Sequence, residues 1–559
     1  MNCLTRVSRL RQIAEATPTA TFVTALLLVG LGGCGDTPPV SPAPDPSPSE
    51  GVTYEDLLGS EDYPGHWLTY SGGYRSNRYS RLEQVDTTNV DRLRLRWVFQ
   101  MTTSEKVETT PLVVNETMYL TGPPNDVFAL DTRTGRPFWS YEHKLPERIS
   151  VCCGRVNRGL ALLEGRLYMG TLDAHLVALD AKTGSVAWET EVADYQEGYA
   201  ITVAPLALKD KIIMGISGGE YGIRGFLDAY DPKTGDRLWR FNTIPGPGEP
   251  GNETWEGDSW KTGGGPTWVT GSFDPELNLI YWGTGNPSPD WNGEVRKGDN
   301  LYSSSVVALD ADSGELKWYF QFTPHDVHDW DAVQIPVLVD GDFGGKQRKL
   351  MLWGNRNGFF YVLDRVSGEF LLAKAFAKQT WAERIDEKGR PVRRPNTAPT
   401  EEGTLVYPGV QGATNWFSPS YSPKTGLFYL SVWELANLYY KGEADYSPGS
   451  PFWGGLIQGA GGEPGWGAIR ALVPQTGELA WEYRLHTVPW SGVLTTAGDL
   501  AFGGTSDGQF FALDARTGEE LWIAHLGGTI GSNPITYLTE GKQQMAISSG
   551  SALFTFEID

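Results

Sequence analysis

The chain has 559 residues, with 68 acidic against 46 basic side chains and a formal net charge of −22. That balance excludes nucleic acid as a partner and suits a soluble protein beside an anionic envelope. Twenty-one tryptophans and 68 glycines form an excess that the architecture must explain.

Arg6, Arg9 and Arg11 precede a mostly apolar run over residues 21–31, too short to span a bilayer comfortably. The run ends in Leu31-Gly32-Gly33-Cys34, which reads as a bacterial lipobox. Residues 1–34 are therefore expected to be a lipoprotein signal peptide, with Cys34 as the lipid anchor and the periplasm as the location. An ordinary cleaved signal or an uncleaved anchor fits the same residues. Residues 35–52, dominated by Pro and Ser, are expected to form an extended tether. With Cys3 and Cys34 used by export, Cys152 and Cys153 remain, in a compartment where disulfides persist. Taken alone, this adjacent pair fits a disulfide, two reduced thiols or metal ligands.

From residue 129 onward the phrase Ala-Leu-Asp-x-x-x-Gly-x-x-x-Trp recurs. Full or near-full copies end at Trp139, Trp188, Trp239, Trp318, Trp481 and Trp522, and weaker ones centre on Gly368 and Gly426. An apolar strand ends at Asp, whose side chain caps a tight turn. Gly supplies positive φ, and the next strand carries Trp. Strand-only repeats about 40 to 60 residues apart predict a β-propeller, and eight turns predict eight blades in one domain over residues 53–559. Residues 93–100 (Leu-Arg-Leu-Arg-Trp-Val-Phe-Gln) are the candidate strand for closing the ring.

The repeat resembles the tryptophan-docking motif of quinoprotein alcohol dehydrogenases, periplasmic enzymes that hold pyrroloquinoline quinone (PQQ) in an eight-bladed propeller. The resemblance extends to Val151-Cys152-Cys153 with Arg158 five residues on, and to Gly263-Gly264-Gly265-Pro266-Thr267-Trp268. It implies a vicinal Cys152–Cys153 disulfide as one wall of the quinone site and Trp268 as the other. Glu108, Arg158, Thr202, Ser217 and Arg356 are implied as further cofactor contacts, with Asn415 and Trp490 lining the same cavity. Arginines suit a tricarboxylate because they donate paired, charge-assisted hydrogen bonds. Glu108 facing an anionic cofactor has no electrostatic rationale in the sequence.

The same resemblance implies metal ligands at Glu220, Asn286, Asp329 and Asp331. Carboxylate and amide oxygens suit a hard cation. In the family's calcium enzymes the position of Asp331 is usually small and uncharged. In its lanthanide-dependent methanol dehydrogenases an Asp there adds a ligand, so a lanthanide(III) is expected ahead of calcium. His325 and His328, set among acids, offer a rival transition-metal reading.

The implied activity is oxidation of a primary alcohol to an aldehyde by hydride transfer to PQQ. Asp329 would be the general base, and Arg356 would stabilise charge on the quinone oxygens. No Cys-x-x-Cys-His occurs in the sequence, so an external cytochrome c is the expected electron acceptor. The alternatives are a sugar or polyol dehydrogenase and a non-enzymatic propeller lipoprotein of outer-membrane assembly. The segments 378–406 and 437–463 read as irregular loops. The second, with Tyr439, Tyr440, Tyr446, Phe452 and Trp453, is expected to cover the active-site mouth.

Overall fold

The computed structural model describes residues 46–461 and 465–559; the expected signal peptide, Cys34 and the first part of the tether lie outside them. Antiparallel sheets at 112–142, 161–191, 206–242, 272–321, 337–375, 420–485 and 494–525 form seven successive blades. The eighth, at 535–558, gains its fourth strand from the other end of the chain. There Leu93–Gln100 pairs antiparallel with Ala552–Ile558. The expected eight-bladed, all-β propeller and its closure strand are both present. Among the described residues the only α-helix is Tyr54–Leu58.

Within a blade, burial falls from the first strand to the last. Leu112–Val114 is wholly buried, whereas Pro137–Glu142 alternates between exposed and half-buried. The turn before each fourth strand follows the repeat. Asp180 Oδ1 accepts from the backbone of Lys182 and Thr183, and Gly184 turns the chain at φ +72°. Trp139 of the preceding blade lies on that glycine, so close that a Cβ there would sit 2.5 Å from the ring. The Trp139 indole Nε1 donates to Ala181 O at 3.2 Å. Glycine thus serves both the backbone angle and the close approach of the preceding blade's tryptophan. The same docking joins Trp188 to Gly235, Trp239 to Gly314, Trp318 to Gly368 and Trp481 to Gly518.

Two features depart from the sequence reading. The copy at Gly426 is the first hairpin of the sixth blade, between Ser420–Ser422 and Leu427–Glu434. That blade's docking glycine is Gly477, faced by Lys374 and Leu372 instead of a tryptophan. Both kinds of hairpin need the same turn chemistry, so the local pattern does not distinguish them. The missing dock belongs to Trp97 of the closure strand, which lies on Gly135 and donates to Thr132 O at 2.8 Å.

The segments read as irregular contain small sheets. Ala382–Ile385 pairs with Pro391–Arg393, and Thr404–Val406, Asn437–Lys441 and Gly455–Gly459 form a three-stranded unit. The ordered body also begins before residue 53. Val52 is buried, and Gly51 and Val52 accept hydrogen bonds from Gly165 and Glu164.

Candidate cofactor and metal site

In a four-stranded antiparallel blade, the turn between strands two and three lies at the same end as the crossing to the next blade. The candidate residues occupy such segments. Glu108, Cys152, Cys153, Arg158, Thr202, Trp268, Asp329, Asp331, Asn415 and Trp490 lie on crossings, and Ser217, Glu220 and Arg356 on strand-two-to-three turns. All thirteen line one cavity of about 230 Å³. Asn286 sits directly behind it, its backbone N–H donating to Asp331 Oδ1 at 2.7 Å.

One side of the cavity is organised around Arg158. Its Nη2 lies 2.7 Å from Glu108 Oε2, and its Nη1 donates to Thr202 Oγ1 at 2.8 Å. Thr202 Oγ1 is in turn 2.9 Å from Ser217 Oγ. The guanidinium lies 4.7 Å from the Trp268 ring centre and 4.9 Å from that of Trp416. Glu108 thereby acquires a rationale: it orients an arginine. Burial raises its carboxyl above the ordinary range, with Arg158 opposing the shift.

The other side is acidic. Arg356 Nη1 donates to Asp331 Oδ2 at 2.6 Å and to Asp329 O at 2.9 Å, and Trp268 Nε1 donates to Asp331 Oδ2 at 3.2 Å. Burial pushes Glu220 up to about 7, with Asp331 adding to the shift. Burial likewise holds Asp329 well above the usual carboxylate range, against the opposing Arg356. Asp331 is raised by burial as well. Three carboxylates share a low-dielectric wall with one guanidinium, an arrangement that a bound cation would relieve.

The loop carrying Asp329 and Asp331 is pinned by the residues between and before them. Asp326 accepts from the backbone N–H groups of His328 and Trp330, and Trp330 Nε1 donates to Gly409 O at 3.1 Å. Asp329 adopts φ +61°, a left-handed conformation unusual for a residue with a Cβ and concentrated at functional sites. The histidines face elsewhere. His325 Nδ1 is 2.8 Å from Gly298 O, His328 Nε2 is 2.7 Å from Thr397 O, and neither ring lines the cavity. Burial lowers them to about 4 and about 3, respectively. The transition-metal reading of this pair is therefore set aside.

Cys152 and Cys153 are joined by a disulfide. Their sulfurs and a Glu220 carboxylate oxygen all lie within 4.8 Å of one another. Oxidised sulfurs are spent as metal ligands, so the pair forms a surface of the cavity and not a thiolate site.

The residues fit both an anionic aromatic cofactor and a hard cation. Among the described residues, the buried polar atoms beside the cavity without a hydrogen-bond partner include Asn286 Oδ1, Arg158 Nε, Arg356 Nε and Glu108 Oε2, the last ion-paired with Arg158 Nη2. A buried amide oxygen left bare beside three carboxylates is a cation donor set, and bare guanidinium N–H groups require an acceptor.

The sequence reading missed Lys106, Gln411 and Trp416, which also line the cavity, and Asp290, to which Asn286 Nδ2 donates at 2.8 Å. Lys106 stacks over Trp490 at 4.5 Å. Trp416 follows Asn415 directly, and that adjacency was the available signal; Asp290 has none, because its role depends on a side-chain contact. The aromatics of 437–463 do not line the cavity. Tyr439 is buried against His328, while Phe452 N–H donates to Glu220 O at 2.6 Å and Trp453 packs on Trp291. That segment buttresses the Glu220 turn from outside.

The family described as glucose/ethanol/alcohol dehydrogenase, beta-propeller domain, which carries the label PQQ, matches residues 67–373 and 461–545. The chain belongs to the PQQ-dependent quinoprotein alcohol dehydrogenases. This quinoprotein is 39% identical over 528 residues to quinoprotein alcohol dehydrogenase PedH of Pseudomonas putida, covering 89% of this chain and 88% of that protein. It is 40% identical over 531 residues to the lanthanide-dependent methanol dehydrogenase of Methylacidiphilum fumariolicum, covering 89% and 86%. A solved europium-containing methanol dehydrogenase superposes with a TM-score of 0.86 at 36% identity, covering 90% of this chain and all of that one. The quinoprotein is thus an enzyme, an oxidoreductase, and the scaffold alternative falls away.

Proposed function

We propose that this quinoprotein oxidises primary alcohols to aldehydes with PQQ and a lanthanide(III) ion, passing electrons to an external c-type cytochrome. The observation that carries this reading is that one cavity gathers Trp268, the Cys152–Cys153 disulfide and the acids Glu220, Asp329 and Asp331, with the bare Asn286 Oδ1 behind them.

Trp268 and the disulfide would flank the quinone, Trp268 offering an aromatic face and the sulfurs a polarisable one. Arg158, aligned by Glu108 and Thr202, would meet its carboxylates. Glu220, Asn286, Asp329 and Asp331 would hold the ion. When bound, the quinone supplies the two-electron acceptor and the ion supplies Lewis acidity. Asp329 takes the hydroxyl proton of the alcohol. Arg356, which also grips the Asp329 carbonyl, stabilises negative charge as it develops. Asp331 supports a trivalent ion over calcium because it adds a negative oxygen, and two relatives carry lanthanide or europium in their names.

The test is dye reduction by protein reconstituted with PQQ and either calcium or lanthanum, across short alcohols, aromatic alcohols and sugars. The reading expects primary alcohols and lanthanum to give the highest turnover. Sugar oxidation without alcohol oxidation would sink the substrate assignment, and equal turnover with calcium would sink the metal assignment. For location, the leader and lipobox support a periplasmic protein anchored at Cys34, and the disulfide fits an oxidising compartment. Labelled palmitate incorporated by wild type and lost in Cys34→Ala is the expected result; no incorporation by wild type would refute the anchor.

A further inference from the structure

The two ends of the Asn286 amide have different surroundings. Nδ2 donates to Asp290 Oδ1 at 2.8 Å and reaches Pro287 O at 3.4 Å, whereas Oδ1 has no hydrogen-bond partner among the described residues. Asn286 and Asp290 are 1% and 2% exposed. Because Asp290 Oδ1 is the acceptor of the Nδ2 hydrogen bond, the amide turns its NH2 toward Asp290 and its carbonyl oxygen away from it. That oxygen lies beside the Glu220 turn, where a Cβ on Gly219 would be 2.9 Å from it. Arg296, buried nearby, directs its guanidinium to the backbone carbonyls of Pro289, Asp290 and Asp326 and to Asn300 Oδ1. It makes no hydrogen bond to the Asp290 carboxylate.

We propose that Asp290 is a positioning residue for the metal: it locks the Asn286 carbonyl oxygen toward the ion and adds a fourth buried carboxylate to Glu220, Asp329 and Asp331, biasing the site toward a trivalent ion. The proposal rests on the metal reading above. Its two parts separate by mutation. Asp290→Asn keeps an acceptor for Asn286 Nδ2 and removes only the charge. Asp290→Ala removes both. Because Coulomb energy scales with ion charge, the logarithmic loss of affinity in Asp290→Asn should be about one and a half times larger for a trivalent than for a divalent ion. Losing the orienting bond as well should weaken both ions by about ten- to a hundred-fold, the usual effect of removing a partner behind a ligand.

The experiment titrates the full-length protein, saturated with PQQ, with europium(III) read by its luminescence and with calcium(II) read by displacement of europium. Europium should lose more than calcium in Asp290→Asn, and both should weaken further in Asp290→Ala. If wild type binds neither ion, the metal reading itself fails. If wild type binds and Asp290→Ala matches it, the positioning role is overturned. Equal losses for the two ions in Asp290→Asn would overturn the charge bias.

Discussion

The Arg356 guanidinium donates through one nitrogen to the Asp331 carboxylate at 2.6 Å and to the Asp329 carbonyl at 2.9 Å. A single cation therefore fixes the base-bearing turn relative to the acid two residues on. Arg356→Lys keeps the charge but loses the rigid fork. Turnover of the reconstituted enzyme should fall by about ten- to a hundred-fold, while the bound quinone, read by its absorbance, is retained.

Asp329 is the base in the proposed reaction, and general base catalysis contributes about a hundred- to ten-thousand-fold. Asp329→Ala, correctly loaded with quinone, should lose at least the lower figure in kcat. Dye-linked activity within threefold of wild type would remove it from that role.

The disulfide belongs to a loop between blades and to none of the eight sheets. Cys152→Ser/Cys153→Ser should leave the thermal unfolding midpoint of the cofactor-free protein close to that of wild type. Retention of PQQ through gel filtration should fall. A large drop in midpoint with normal retention would assign the pair to structure instead.

Asp126 and Glu142 face each other across the first blade, and burial, with Glu142 adding, pushes Asp126 up to about 6. A carboxyl whose folded pKa is raised binds protons more tightly when folded. Its unfavourable contribution is therefore absent below about pH 4 and grows as pH rises through about 6. Asp126 is only half-buried, so solvent limits the effect to about 1 kcal/mol or less. Asp126→Asn should raise the midpoint slightly at pH 7.5 and leave it unchanged at pH 4, as measured by calorimetry.

Trp97 holds the junction where the ring closes, 8% exposed and seated on Gly135. Truncating a buried tryptophan costs about 3–5 kcal/mol. Trp97→Ala should therefore lower the unfolding midpoint by several degrees. An unchanged midpoint would mean that strand pairing alone secures the closure.

The propeller was legible because its repeat encodes a contact at fixed spacing, an Asp-capped turn whose glycine receives the neighbour's tryptophan. Gly426 was misassigned because a first hairpin uses the same turn chemistry, and Trp97 was unrecognised because it precedes the first copy of the phrase instead of ending one, on the strand that closes the last blade. In the site, thirteen of the fourteen named residues line the cavity and Asn286 backs it. The purpose of Glu108 was opaque, since its partner Arg158 is fifty residues away and only the fold brings them together. Asp290 was unreadable for a related reason. A carboxylate that orients an amide leaves no pattern beyond an ordinary Asp after Pro.

The pairing of Leu93–Gln100 with Ala552–Ile558 also sets an order of events. During synthesis, this strand emerges about 450 residues ahead of the segment that partners it. Throughout that interval it is an open edge carrying Trp97, Val98 and Phe99, the kind of segment that recruits foreign strands. Arg94 and Arg96, exposed on the finished surface, lie at its start, where charge disfavours such pairing.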